Sequence, residues 1–86
     1  MTADLVIVRA YGRKPLVRAV LDVMPGGMLV CMPENAEAIQ RGEMAEPLVG
    51  FPIDDIFRYR DKEARAIGRG ESVDWRQLEP MKRGAH

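Results

Sequence analysis

Within residues 9–18 the chain carries Arg9, Arg13, Lys14 and Arg18 together with Tyr11, and no acid stands between Asp4 and Asp22. A guanidinium offers a planar fork that fits phosphate or carboxylate, and a neighbouring phenol ring adds a stacking surface. If residues 5–11 pair with 16–23, then Arg9, Tyr11 and Arg18 share the face opposite Val6, Val8, Ala19 and Leu21. Arg13 and Lys14 then stand at the loop tip. Such a hairpin suits the phosphates of a nucleic acid or the carboxylates of an acidic protein. It also suits plain solvation, since a charged strand face guards a sheet edge or pairs with the chain's own acids. Trp75 is the second candidate. It is the sole tryptophan, in a weakly apolar stretch, and so large a ring packs either on the fold or on a partner.

Catalytic chemistry is poorly supplied. The only histidine is His86, the last residue, where a fixed geometry is hardest to hold. Without a second histidine, Cys31 lacks the usual base for a nucleophilic thiol, and a buried strand thiol is the expected state. One cysteine and one histidine also fall short of a zinc site. Asp54 and Asp55 are adjacent, so on a strand they would face opposite ways; capping of a turn after Pro52 is their expected role. Gly26-Gly27 lacks the spacing and following lysine of a phosphate loop. The residues imply no enzyme, no metal, no cofactor and no small-molecule substrate.

Composition points the same way. With 86 residues, 47% of them hydrophobic and 30% charged, the chain fits one small globular domain. The net charge is zero but segregated. Residues 5–21 hold four bases and no acid, residues 31–56 hold six acids against Arg41 alone, and the remainder is mildly basic. Nucleic-acid binders are usually basic overall, and a stacking platform prefers more than one ring. A proline-rich peptide groove or a methyl-lysine cage needs several free aromatics, whereas Phe51 and Phe57 are expected in the core. No apolar run approaches the roughly 20 residues of a membrane span, and the start carries no basic leader before a long apolar run. A cytoplasmic protein is expected, with no membrane partner.

These groups must be positioned by a mainly β chain. "DLVIVRAY" and "LVRAVLDV" alternate with period two, which predicts antiparallel strands, each with one buried side. Pro25 and Gly26 form a turn into a third strand at 28–32. "PENAEAIQRGE" changes period and predicts a short helix near 33–41, with Ala38 and Ile39 inward. Leu48–Phe51 reads as a fourth strand, Pro52 starts a tight turn, and "IFRYR" resumes as a fifth. Strand, single helical turn, then final strand is how a small five-stranded barrel closes, so residues 1–60 resemble an SH3-like barrel with an inserted helix. That resemblance is architectural and implies no function. Residues 61–86 form a C-terminal extension. There a helix begins over 61–67 and stops at "GRG", Ser72 caps a turn carrying Trp75 and Leu78, and "PMKRGAH" frays. Val8, Leu21, Phe51 and Ile56 are expected to be buried.

On this reading the protein is a non-enzymatic interaction module that binds a protein partner or a second copy of itself. The second reading is an RNA- or DNA-binding accessory protein that uses the 9–18 hairpin.

Overall fold

Period-two alternation carries the first third of the chain into strands. In the computed structural model, which describes residues 3–81, β1 spans Leu5–Arg9, β2 Pro15–Met24 and β3 Gly27–Cys31. Pro25 and Gly26 alone join β2 to β3, with Gly26 at φ 81°, the left-handed position a glycine takes without strain. The next residue is also constrained. A Cβ on Gly27 would run into the carbonyl oxygen of Phe51 on the neighbouring strand.

The acidic insertion folds as expected, with a 3-10 turn at Pro33–Asn35 leading into α1, Ala36–Gln40. Its inward residues are Ala36, which is buried, and Ile39; Ala38 is half-buried. Glu46 ties the following loop back, accepting from Asn35 Nδ2 at 2.8 Å and from the Met32 amide at 3.4 Å. β4, Val49–Pro52, then runs through a 3-10 turn, Ile53–Asp55, into β5, Ile56–Arg58.

All five strands are antiparallel, in the order β4-β3-β2-β1-β5. The result is one open sheet: β4 and β5 lie at its two ends and do not pair with each other, so the expected barrel closure is not seen. No helix among the described residues is long and apolar enough to cross a membrane.

The expectation of one buried side per strand is corrected, because both faces of the sheet are covered. Val6, Val8, Met28, Val30 and Ile56 form one buried cluster. On the opposite face Ile7 packs with Phe57 and Leu78, and Ala19 with Cys31 and Ala36. α1 and the chain beyond β5 supply this second cover. Two of the residues expected in the core, Val8 and Ile56, are fully buried. Leu21 and Phe51 are only half-buried. A register irregularity between Val20 and Asp22 puts Leu21 at a bulge beside the α1 cluster, and Phe51 lies on an end strand.

The C-terminal part completes the fold. α2, Asp61–Gly68, stops before Gly70 at φ 81°. A 3-10 turn at Trp75–Gln77 is capped by Asp74, whose carboxylate accepts from the Arg76 amide at 3.1 Å; Ser72, the expected cap, does not fill that position. Residues 79–81 then run antiparallel beside β5. The Arg58 amide donates to the Glu79 carbonyl at 2.8 Å, and the Met81 amide donates to the Ile56 carbonyl at 3.0 Å. Pro80 and Met81 therefore do not fray. The rest of the segment expected to fray, 82–86, lies outside the described residues.

Candidate functional site

Register decides which members of the basic hairpin meet. Arg9 lies opposite Pro15 and Arg18 opposite Val6. Directly opposed residues share a face and faces alternate along a strand, so Arg9 and Arg18 leave the sheet on opposite sides. The expected common face for Arg9, Tyr11 and Arg18 is therefore absent. The expected pattern was one residue out of step: Val6 and Val8 share a face with Leu16 and Val20, while Ala19 belongs to the other.

Arg9 is drawn into the structure. Its Nε donates to Asp55 Oδ1 at 3.0 Å, its Nη2 lies 3.0 Å from the same oxygen, and Nη2 also donates to the Asp54 carbonyl at 3.1 Å. Its guanidinium lies 5.3 Å from the Phe57 ring centroid and 5.5 Å from that of Trp75. Those two rings pack at 5.1 Å with 34° between their planes. Trp75 thus docks internally, joining the chain after α2 to β5 through an aromatic pair with a cation over it. Asp55 serves this ion pair, and the N-cap position of the turn it stands in is Pro52, which makes no side-chain cap. Arg18 donates to the neighbouring Val17 carbonyl at 2.8 Å and is half-buried.

Tyr11, Arg13 and Lys14 remain together. They occupy a short 3-10 turn between β1 and β2, closed by Ala10 N–H to the Lys14 carbonyl at 2.8 Å and Arg13 N–H to the Ala10 carbonyl at 3.0 Å. Tyr11 is 96% exposed. Gly12 and Arg13 both have φ 64°, and Arg13 is the only non-glycine residue of positive φ among those described. A side chain in the left-handed region costs roughly 1–2 kcal/mol, so the turn holds a strained residue at its tip. Among the described residues Arg13 and Lys14 have no ion-pair partner, whereas Arg9, Arg41, Arg58, Arg60, Arg65, Arg69 and Arg76 each have one.

Beside this turn lies a cleft of about 310 Å³, bounded by Ala10 and Tyr11 on one side and by Val49, Gly50, Phe51 and Pro52 on the other. The Arg9–Asp55 pair is part of its lining. The β4 residues of this cleft were not among the sequence candidates. Their signal is the uncharged run from Pro47 to Ile53, ended within the strand by a proline, which marks an end strand. A larger cleft, about 680 Å³, opens around Val6, Val20, Met28 and Met81. Two of its polar residues are engaged: Arg58 pairs with Glu79, and the Tyr59 hydroxyl donates to Asp61 at 3.2 Å.

Burial, with Glu46 and Glu34 nearby, pushes the Cys31 thiol up against the opposing pull of Arg18, which disfavours its thiolate near neutrality. Among the described residues no three His, Cys, Asp or Glu side chains gather to hold a metal. No protein-family model matches the chain, and no curated protein or solved structure is found to be similar to it.

Proposed function

We propose that the protein is a non-enzymatic interaction module that docks on a protein partner through the turn carrying Tyr11, Arg13 and Lys14. The observation that carries this reading is the turn itself: an almost fully exposed tyrosine beside two cations with no internal counter-charge among the described residues, held by a strained backbone. Exposed aromatics and arginines are the residues most enriched at interfaces. An acidic partner is favoured over a nucleic acid because the hairpin's other two cations are withdrawn from the tip. Two cations and one ring neutralise few phosphates.

On the same terms we read the architecture as a small SH3-like barrel left open between its ends. The strand order and the single helical turn between β4 and β5 support that reading. A cytoplasmic setting fits a chain with one free buried thiol.

The test is charge reversal at the turn, Arg13→Glu with Lys14→Glu, with Tyr11→Ala made separately. Both are exposed changes, and circular dichroism should be unaltered. Nuclease-treated native lysate passed over the immobilised protein should lose the same bound proteins in both variants. A partner set unchanged by either variant would sink the reading, and so would partners that vanish with nuclease alone.

A further inference from the structure

The backbone of β4 says what the cleft can hold. Ile53 donates its N–H to the Gly26 carbonyl at 2.8 Å, towards β3. Peptide groups alternate along a strand, so Phe51 and Val49 also turn theirs towards β3, while Gly50 and Pro52 turn theirs away. Pro52 has no N–H to lose there. Gly50 presents both N–H and C=O on the open side of the sheet, with no side chain in the way; a Cβ built on it would touch only the end of Met24 at 3.5 Å. Among the described residues nothing pairs with that side. The cleft therefore combines one free strand-pairing residue with apolar walls, Val49 at 48% exposure among them. Arg13 and Lys14 follow Tyr11 in the turn that forms its opposite wall.

Building on the proposed docking role of that turn, we propose that this cleft binds an extended acidic segment of the partner. The segment pairs its backbone with Gly50, places an aliphatic side chain between Tyr11 and Phe51, and sets its carboxylates against Arg13 and Lys14. Main-chain pairing supplies affinity and the alternate side chains supply selectivity, as in other strand additions to a sheet edge. The charge on this side is favourable. Arg9 and Asp55 neutralise each other, Arg13 and Lys14 add two positive charges on the turn, and Asp54 is a further acid on the 3-10 turn.

The probe is a capped peptide of alternating Glu and Val, with a Lys-Val peptide and a single-stranded oligothymidylate as controls. Amide shifts on titration of the Glu-Val peptide should concentrate at Ala10–Lys14 and Val49–Phe51. Reversal of Arg13 and Lys14 should weaken binding roughly tenfold or more by turning attraction into repulsion. Val49→Glu, on an exposed position, should weaken it roughly tenfold while leaving circular dichroism unchanged. The inference is overturned if the Lys-Val peptide binds as well, if the shifts fall elsewhere, if neither peptide binds at millimolar concentration, or if only the oligonucleotide shifts the turn. Val49→Glu also separates the two proposals. If native partners survive it but are lost on reversal of Arg13 and Lys14, the turn docks the partner and the cleft is not its seat.

Discussion

Along β5 the sheet is finished by the chain itself. Residues 79–81 hydrogen-bond to the strand, Glu79 adds an ion pair to Arg58 at 3.3 Å, and Leu78 is buried against Ile7 and Phe57 just before them. Along β4 nothing comparable is present among the described residues, and the strand is kept short and ended by Pro52. A bare edge is a liability that proteins cover, charge or interrupt. Here one end is covered, at the cost of ordering some twenty residues after β5, and the other is merely interrupted. The covered end belongs to the stability of the fold. The interrupted end, beside the strained turn, is the part left available for contact.

Energetics should separate the two ends. Leu78→Ala removes a buried anchor of the covered end and should cost about 2–5 kcal/mol, a large part of what so small a domain has. The urea midpoint should fall steeply. Val49→Lys at the other end should change stability by less than about 0.5 kcal/mol. Equal losses would mean that both ends of the sheet contribute alike to stability. The Arg9 stack comes next: Arg9→Met keeps much of the apolar stem but strands Asp55, and should cost about 1–3 kcal/mol. The fluorescence of Trp75, the only tryptophan, should shift with it. An unperturbed spectrum together with an unchanged midpoint would mean that the cation contributes nothing to the covered end.

At the turn the sign is opposite. Arg13→Gly relieves the left-handed backbone and should gain up to about 1 kcal/mol, set against the greater freedom of the unfolded glycine. A loss instead would show that the arginine side chain holds the turn. The smallest effect concerns Asp74, whose carboxyl is held below the usual range by hydrogen bonds from the Arg76 side chain and amide. A lowered carboxylate pKa contributes stability above the ordinary value, and that contribution is lost as pH falls through the lowered one. An NMR titration should place the Asp74 midpoint below that of an ordinary aspartate, and Arg76→Ala should move it back up.

The strands, the turn at Pro25–Gly26 and the short helix were legible because each rests on neighbouring residues. Register was not. Both faces of β1 and β2 carry valine, leucine, isoleucine or alanine, so alternation fixed the strand type without fixing which face meets which. The bulge at Leu21 then shifted Val23 to the side of Met28. The fate of Arg9 was hidden for a different reason. Its partner Asp55 lies 46 residues away in sequence, and nothing local distinguishes an arginine bound for an ion pair from one bound for solvent. Arg13 and Lys14 were legible as exposed because they fall at the loop tip, whereas Tyr11, expected on the strand face with Arg9 and Arg18, lies in the turn instead. The edge that faces them became visible only once β4 had a place in the sheet.

Among the five described strands, the earliest made is also one of the last to be completed. β1 is flanked by β2 on one side and by β5 on the other, with Val8 opposite Ile56. During synthesis its second side therefore stays open while some fifty further residues are added, on the order of several seconds at cellular elongation rates. Throughout that interval Val6, Ile7 and Val8, all buried in the finished molecule, sit in an unfinished hairpin that has not yet received its outer neighbour. A nascent chain stalled before residue 56 should accordingly be the form most readily bound by ribosome-associated chaperones, and release past residue 81 should end that dependence.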